Sequence, residues 1–343
     1  MIGTMRLGPV AAVLALAVLI VSGAPASAGV LEQVKQRKTL QCGVDPGLPG
    51  FAVIDDHQQW SGFDIDYCRA IAAAVLDDAK AVTFVPLTAR ERFKALQSGA
   101  VDVLIRDTAW TMGRDTAFGV SFAGVNYYGG QGFMVPKSLG VDSALQLTGA
   151  NVCIETGSAT EIAVTAYFKA HAMSYNPVPV KDDERQKDAY ESGLCNVYTG
   201  DTVALHGARL ALAKPDDSIV LPELLSKEPY GPATLQSDFR WLDVVKWVHF
   251  ALLDAEELGV TGANVDAMKA SDNADVRQLL GAEGSLGKAI GLDNAWAANA
   301  IKAVGNYGEI FERNLGAGSK LQIPRGLNAL WTNGGIQFAP PIR

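Results

Sequence analysis

The sequence has few residues of the kinds on which common catalytic and metal sites depend. It contains four histidines and four cysteines in 343 residues, and no GxSxG, P-loop, GxGxxG or HExxH motif. The histidines are scattered and have no nucleophile or ligand set at a recognisable spacing, so we expect no catalytic residue, metal or cofactor. Positive charge is also scarce: the net charge is −8 and the pI is near 5.1, which disfavours nucleic-acid binding.

The composition is that of a folded protein with more than one lobe. Hydrophobic residues make up 48% of the chain and charged residues 19%, which excludes a mainly disordered, collagen-like or coiled-coil chain. A length of 343 residues is too great for one small core and fits two lobes of ordinary domain size.

The one long apolar run lies near the N-terminus. Arg6 is followed by about 13 apolar residues at 9–21 and by an A-x-A cleavage signature at 26–28. Because a membrane span needs about 20 residues, we interpret residues 1–28 as a signal peptide and expect export. A retained N-terminal anchor helix is the alternative, whereas a lipid anchor is disfavoured because no cysteine follows the cleavage site.

The four cysteines all lie beyond the predicted signal peptide. An even count in an exported protein indicates two disulfides, for which three pairings are possible. We favour Cys42–Cys68 and Cys153–Cys195, because these pairings keep each bridge inside one lobe. No cysteine lies in a CxxC motif or near a histidine, so metal and thioredoxin-like sites are disfavoured.

Strand and helix patterns alternate along the exported part, which predicts parallel pairing in an α/β fold. In the first half the predicted order is strand 39–44, a helix that begins at an Asp64 N-cap, strand 82–85, helix 90–97 and strand 101–105. In the second half it is strand 151–154, a helix to about 170, strand 176–180, helix 183–191 and strand 195–199. From about residue 230 the chain is predicted to be more helical, with helices at 238–258 and from Asp293 through Ile310.

A short local pattern occurs twice. Residues 95–103 and 189–197 lie 94 positions apart and are identical at four of nine positions. Two unrelated helix–glycine–strand turns would also look alike, because glycine is common after a helix. The alternative is two lobes of like construction. At the same offset Asp107 corresponds to Asp201, and both follow a strand's carboxyl end, where ligands bind in open α/β sheets.

The stretch 107–115 contains a candidate anion-binding arginine. Arg114 lies just beyond a strand end, and a guanidinium offers a planar fork of donors that suits a carboxylate. We expect it on a loop over the sheet edge. The alternative is a surface ion pair between Arg114 and Asp115, which is a common and weak interaction.

Several stretches together resemble the periplasmic amino-acid-binding proteins of ABC transporters, also called family 3 solute-binding proteins. The chain is most similar to their general L-amino-acid-binding branch. The resemblance covers essentially the whole exported part and rests on the order and spacing of its motifs. The matching stretches are 62–66 (GFDID), 70–72 (AIA), 93–103 (FKALQSGAVDV), Trp110, Thr111 and Arg114, 127–133 (YYGGQGF), 198–201 (YTGD), 305–314 (GNYGEIFERN) and 327–336 (LNALWTNGGI).

The resemblance implies a type II periplasmic-binding-protein fold. Two α/β lobes are joined by a two-strand hinge, the ligand lies in the cleft between them, and a helical region is added at the C-terminus. The implied crossings lie near residues 133–137 and 229–235. We therefore expect residues 29–135 in lobe 1, 136–229 in lobe 2, and 230–343 in the return to lobe 1 and the C-terminal extension.

The resemblance also implies roles for individual residues. In the family, an arginine at the position of Arg114 holds the ligand's α-carboxylate, and an aspartate at the position of Asp201 takes its α-ammonium. The turn at Gly157, Ser158 and Ala159 would add backbone N–H groups and the Ser158 hydroxyl to the carboxylate. The ligand would then bridge the lobes, and its binding would favour the closed state.

Some candidate ligand-binding residues depart from the family's usual pattern. Ala109 stands where a Thr or Ser hydroxyl usually contacts the carboxylate, and Ala159 replaces a frequent Thr. Each lost hydrogen bond costs about 1 kcal/mol. Leu48 occupies the place where some members stack an aromatic ring on the ligand, and Thr108 completes the candidate set. These departures do not change the class of protein that the resemblance implies. They do not fix which ligand is bound or how broad the specificity is.

Asp107 is a further departure, since a small or amide residue is usual there. Its added carboxylate near the cleft mouth favours a cationic ligand, or it pairs with the adjacent Arg106. We favour the pair with Arg106, because the partner is a chain neighbour and the interaction is easily formed.

The implied function is that of a monomeric periplasmic receptor. It would capture an amino acid or a related zwitterion, close on it and deliver it to an inner-membrane ABC permease, without nucleic acid as a partner and without catalysis. One alternative is a dehydratase-like enzyme on the same scaffold, with Asp107 or a glutamate as the acid or base. The other is a sensory receptor that signals through a partner protein.

Overall fold

Two five-stranded mixed sheets carry the fold. They are seen in a computed structural model that describes residues 1, 3, 29–155, 159–181 and 183–343. The predicted signal peptide, apart from Met1 and Gly3, lies outside the described residues. The strands are β1 (Leu40–Val44), β2 (Val53–Ile54), β3 (Trp60–Ser61), β4 (Val82–Pro86), β5 (Val103–Leu104), β6 (Val120–Phe122), β7 (Tyr127–Gly129), β8 (Gln131–Pro136), β9 (Ala150–Glu155), β10 (Tyr175–Val180), β11 (Val197–Asp201), β12 (Ser218–Val220), β13 (Glu228–Tyr230) and β14 (Ala233–Leu235).

Helices cover the sheets and form most of the C-terminal third of the chain. They are α1 (Val30–Arg37), α2 (Phe63–Leu76), α3 (Arg92–Gln97), α4 (Met112–Ala117), α5 (Ala159–Ala170), α6 (Asp183–Glu191), α7 (Thr202–Leu210), α8 (Phe239–Glu257), α9 (Val265–Met268), α10 (Ala274–Leu279), α11 (Leu286–Ala289), α12 (Trp296–Val304) and α13 (Tyr307–Asn314). None of the helices in the described part of the chain combines the length and hydrophobicity of a transmembrane span.

The two sheets have the same construction. The first has the order β4-β1-β5-β14-β6 and the second β10-β9-β11-β8-β12. In each, three parallel strands are followed by two that run antiparallel to their neighbours. Strand β5 therefore holds the same place in the first sheet as β11 does in the second. This arrangement confirms the expected two-lobed α/β fold.

The repeated sequence pattern forms the same turn in both lobes. After α3, Gly99 donates to Leu96 O and Ala100 to Ala95 O, and after α6, Gly193 donates to Tyr190 O and Leu194 to Ala189 O. Gly99 has φ +71° and Gly193 has φ +75°, the left-handed conformation that glycine adopts most easily. Each turn leads into the central strand whose far end reaches the cleft.

Two short strands, β7 and β13, pair antiparallel where the chain passes between the sheets. The return through β13 to β14 falls in the expected range of 229–235. The first crossing lies earlier than the expected 133–137, because β8 is already a central strand of the second sheet. Phe133, Met134 and Val135 are fully buried there, which is what a strand covered on both faces requires. The division of the chain into lobes at 135 and 229 otherwise remains a prediction.

Helix α2 does not begin as predicted. Its N-cap is Gly62 rather than Asp64, and the Asp64 side chain is buried within the first turn. Gly62 has φ +134°, and a Cβ there would lie 2.2 Å from the carbonyl oxygen of Phe51. The close passage of the 51–52 backbone thus requires glycine at position 62. The helix therefore begins two residues earlier in the chain than predicted.

The two disulfides join the expected cysteines, with one bridge in each lobe. Cys42 on β1 is bonded to Cys68 on α2, and Cys153 on β9 is bonded to Cys195 just before β11. Each bridge holds a central strand to its neighbouring element, and all four cysteines are buried.

The core of the first lobe draws on both ends of the described chain. Helix α2 packs against α12, and the indole N–H of Trp241 on α8 donates to the carbonyl of Asp102 at 2.8 Å. At the start of α1, the Val30 N–H donates to Asp238 at 2.7 Å. The side chains that the outermost segments contribute to this core are Leu31, Val34, Leu321, Ile323, Leu330 and Ile342. The C-terminal segment is therefore part of the first lobe.

Candidate ligand-binding site

Arg114 lies on a short helix rather than on the predicted loop. Helix α4 is capped by Thr111, whose hydroxyl accepts from the Arg114 N–H at 3.3 Å. The half-buried guanidinium donates to the carbonyl of Ala109 at 2.8 Å. Among the ion pairs of the described residues, none includes Arg114, so the alternative pair with Asp115 does not form. Its remaining donors are available for an anion.

Asp201 ends β11 and caps α7. One carboxylate oxygen, Oδ1, accepts from the N–H groups of Val203 at 2.9 Å and Ala204 at 3.3 Å. The other, Oδ2, accepts from the hydroxyl of Tyr230. Burial raises the pKa of Asp201, while the hydrogen bond from Tyr230 lowers it. Each carboxylate oxygen has two acceptor positions, so Oδ2 can also receive an ammonium N–H.

Tyr230 on β13 links the two charged groups. Its backbone forms an antiparallel bridge with Ala109, the residue whose carbonyl receives Arg114. Its hydroxyl reaches Asp201, and burial beside that carboxylate raises the pKa of the Tyr230 phenol well above its usual value. The arginine of the first lobe and the aspartate of the second therefore lie along one continuous line of contacts through the strand that returns to the first lobe.

Asp107 lies at the end of β5 in the same region. Burial raises its pKa to about 7; Arg106 opposes the rise, and Asp45 and Asp201 add to it. The expected pair with Arg106 is present at 3.5 Å between Nη1 and Oδ1.

Arg106 makes its shorter contacts elsewhere. Its Nη2 lies 2.5 Å from Asp45 Oδ2, and its Nε donates to the carbonyl of Leu87 at 2.7 Å. The neighbouring Arg92 is also buried, and its Nε has no hydrogen-bond partner among the described residues. Burial, together with the positive charges of Arg114 and Arg106, lowers the Arg92 pKa to about 10. The unpartnered Arg92 Nε is a donor that an anion in this region could use.

The other candidate residues have less direct access to the cleft. Thr108 is fully buried, and its hydroxyl donates to the carbonyl of Arg106 at 2.9 Å. Ala109 is buried and Leu48 half-buried, the latter packed against the first lobe's core. Gly157 and Ser158 lie outside the described residues. Ala159 begins α5, a position that fits the predicted turn before that helix.

A cavity of about 330 Å³ opens beside Asp201 at the edge of the second sheet. Its polar lining includes Gln131, Thr160 and Gln186. The Thr160 hydroxyl donates to Gln131 Oε1 at 2.9 Å, and the Gln131 amide donates to Glu228 at 3.2 Å. No local sequence pattern indicates these residues or Tyr230, because their proximity to Asp201 depends on pairing between distant strands.

A larger open cavity, about 920 Å³, is lined by residues of the first lobe and by none of the candidate residues. Its central carboxylate is already satisfied: Asp66 Oδ2 accepts from Arg313 at 2.6 Å and from Asn314 at 2.8 Å. No cluster of three or more metal-ligating side chains occurs in the residues that the structure describes. The interlobe region thus remains the candidate site.

Two α/β lobes of like construction, joined by paired crossing strands, are the architecture of a two-lobed binding protein. The chain belongs to the bacterial extracellular solute-binding proteins, family 3, whose family model matches residues 40–316. This confirms the family to which the sequence motifs pointed.

Close relatives extend over almost the whole chain. The General L-amino acid-binding periplasmic protein AapJ of Rhizobium johnstonii is 53% identical over 95% of this chain and 96% of its own length. The Glutamate/glutamine/aspartate/asparagine-binding protein BztA of Rhodobacter capsulatus is 50% identical, over 94% and 96% respectively. A solved periplasmic binding protein from Brucella ovis, with glutathione bound, is 55% identical, covers 92% of this chain and all of that chain, and has a TM-score of 0.81.

Proposed function

We propose that this protein binds small molecules that carry an α-amino acid head group. Arg114 would hold the carboxylate and Asp201 the ammonium. The observation that carries the proposal is the placement of these opposite charges on two lobes, joined through Ala109 and Tyr230. A zwitterion has both charges within a few Å and needs one fixed partner for each. Backbone N–H groups at 157–159 and the Ser158 hydroxyl would add donors to the carboxylate.

The size of the ligand beyond its head group is less restricted. AapJ and BztA are named for amino acids, and the Brucella protein holds glutathione. The γ-glutamyl end of glutathione keeps a free α-carboxylate and α-ammonium, so one pair of charges can hold either kind of ligand. The cavity beside Asp201 offers space and polar groups for the remainder of the molecule.

We further propose that the protein acts in the periplasm, after export, as a monomer that delivers its ligand to an inner-membrane ABC permease. Binding across both lobes would stabilise the closed form that a permease recognises. The close relatives are named as binding proteins, so we propose that it has no enzymatic activity. The ligand should accordingly be recovered chemically unchanged after prolonged incubation; conversion detected by mass spectrometry would contradict this.

A thermal-shift screen with the twenty amino acids, glutathione, polyamines and small organic acids tests the ligand class. Ligands that bind only the folded state raise the melting temperature, by an amount that grows with ligand concentration. We expect the largest shifts with L-amino acids or glutathione, smaller ones with acids that lack the amino group, and none with polyamines. A protein stabilised only by acids without an amino group would contradict the proposal.

Arg114→Ala should weaken binding of the best amino acid by about 3–5 kcal/mol, because a partly desolvated carboxylate loses its cation. Calorimetry measures the affinity, and circular dichroism should show an intact fold since the guanidinium makes one internal hydrogen bond. Arg90→Ala is the matched control, because Arg90 is an exposed arginine of the same lobe. Near-wild-type affinity in the Arg114 variant would remove the assigned role.

Asp201→Asn should weaken amino acids more than their deaminated analogues. Asparagine keeps an oxygen that can cap α7, so the change removes the charge with little effect on the helix. The test is calorimetry with L-glutamine and with 4-carbamoylbutanoate, the same molecule without its amino group. An equal loss for both ligands would argue against an ammonium partner.

A further inference from the structure

Asp107 is the counterpart of Asp201 in the other lobe. It follows β5 as Asp201 ends β11, and these strands hold equivalent places in two sheets of the same order. The two residues also lie 94 positions apart, at the offset of the repeated helix–glycine–strand pattern. Sheet order and sequence offset thus independently give the two aspartates equivalent positions at the cleft.

The Asp107 carboxylate has an acceptor that the protein does not use. Its Oδ1 is buried and has no hydrogen-bond partner among the described residues. Arg106 lies 3.5 Å away but makes shorter contacts with Asp45 and Leu87. A buried carboxylate oxygen without a donor is costly, so a donor from outside the chain would be favourable here.

The backbone holds this carboxylate in an uncommon conformation. Asp107 has φ +38°, in the left-handed region that few non-glycine residues adopt. Its N–H donates to the buried Asp64 at 3.3 Å, which keeps the turn in place. Such local strain is often found at binding sites, where the surrounding structure maintains it.

The groups around Asp107 carry charges of both signs. Groups from six elements interact with it electrostatically: Asp45 and Arg106 after β1 and β5, Asp64 on α2, Arg92 on α3, Asp201 at the start of α7, and Tyr230 on β13. Arg106 is matched by Asp45, and burial holds the pKa of Asp64 well above its usual range. Tyr230 joins the two regions, because its hydroxyl donates to Asp201 and its backbone pairs with Ala109, two residues after Asp107.

We propose that Asp107 is a second anionic partner of the ligand's ammonium group, acting with Asp201 from the opposite lobe. The inference rests on the proposed function and deepens it: the site selects ligands with a free α-ammonium by a pair of carboxylates. An ammonium has three N–H donors, enough to serve Asp201 Oδ2 and Asp107 Oδ1 together.

The pair makes binding dependent on pH. With a pKa of about 7 in the empty site, Asp107 is about half protonated at neutral pH. An ammonium favours the ionised carboxylate, so binding releases a proton and affinity falls as the pH falls through 7. A ligand without an amino group should bind with no such release.

The test compares Asp107→Asn with the wild type in calorimetry at pH 7, with L-glutamine and 4-carbamoylbutanoate as probes. Asparagine tolerates the left-handed backbone, so the variant keeps the turn. We expect glutamine binding to weaken by roughly tenfold or more and the analogue to change by less than about threefold. Titration in phosphate and in Tris, whose ionisation enthalpies differ, should show release of about half a proton by the wild type and close to none by the variant.

Asp115→Asn, on the adjacent helix α4, is the control. It also removes one negative charge but leaves the Asp107 carboxylate in place, so it should behave as wild type. An Asp107 variant with unchanged glutamine affinity and unchanged proton release would overturn the inference while leaving the proposed function standing. Wild-type protein that binds no amino acid at all would instead reject the proposed function, and the role of Asp107 with it.

Discussion

A single buried histidine gives this protein a defined response to acid. His249 on α8 is enclosed in the first lobe, with its Nδ1 3.0 Å from the Tyr67 hydroxyl and Gly124 against its ring. Burial lowers its pKa to about 3, so the folded protein keeps it neutral. An unfolded histidine, with a pKa near 6.5, takes up a proton well before that.

The free energy of unfolding should therefore lose up to about 1.4 kcal/mol per pH unit, from His249 alone, as the pH falls below 6.5. His249→Gln removes this contribution, so its urea stability should vary less steeply between pH 6.5 and 4.5 than that of the wild type. His57→Gln, at an exposed histidine, is the control and should keep the wild-type slope. Parallel curves for all three proteins would contradict the prediction.

At the scale of elements, the break between α12 and α13 depends on one asparagine. Asn306 caps α13 through its side-chain oxygen, which accepts from the Glu309 N–H at 2.9 Å. In turn, the Glu309 carboxylate accepts from the Asn306 N–H at 2.9 Å. Its amide also donates to the carbonyl of Val260 at 2.8 Å. Asn306 thus fixes both the start of α13 and the position of the chain after α8.

Asn306→Ala should cost about 1–3 kcal/mol of stability, since it removes the cap and leaves a buried carbonyl unpaired. Urea unfolding measures the loss. Asn299→Ala is the matched control, because Asn299 lies inside α12, where alanine is favoured, and it should be neutral or slightly stabilising. A loss no larger than that of the control would show that the cap is dispensable.

The elements were predictable where local chemistry decides them. Alternating apolar runs and the glycines after α3 and α6 give the order of strands and helices, because both signals act over a few residues. The predicted single helix from Asp293 to Ile310 is wrong: Gly305, at φ +83°, and Asn306 end one helix and start another. Its apolar stripe continues across the break, so periodicity did not reveal it.

The candidate site was only partly predictable. Arg114, Asp107 and Asp201 follow strand ends, a rule of the fold that a sequence can reveal. Tyr230 and Arg92 reach the same region through strand pairing and burial, which no local pattern encodes. The roles of the predicted ligand-binding residues remain predictions until binding is measured.

At the scale of the whole molecule, the segments outside the family match complete the first lobe. Leu321, Ile323, Leu330 and Ile342 lie in its core, although the matched region ends at residue 316. The Asn328 side chain bonds both the N–H of Tyr128 at 2.7 Å and its carbonyl at 3.1 Å. The carbonyl of Leu321 accepts from Arg209 on α7 at 3.2 Å, so the tail touches the second lobe as well.

A protein truncated after residue 316 should fail to fold stably. Burial of four large aliphatic side chains contributes roughly 6–12 kcal/mol, which is comparable to the net stability of a whole domain. The truncated protein should show no cooperative thermal transition in differential scanning calorimetry. Asn328→Ala is a milder companion that should fold but unfold about 1–3 kcal/mol more easily. A truncated chain with wild-type melting would contradict this assignment of the tail.

The contacts of Val30 and Arg343 with α8 have a practical use. Val30 is fastened to Asp238 at the start of that helix, and Arg343 lies in a small cavity beside Trp247 in its middle. A linker to a sensor chip, or a fluorescent fusion joined at Val30 or at Arg343, would therefore be carried by the first lobe. The second lobe would stay untethered, and a dye on its surface could report the approach of the two halves in real time.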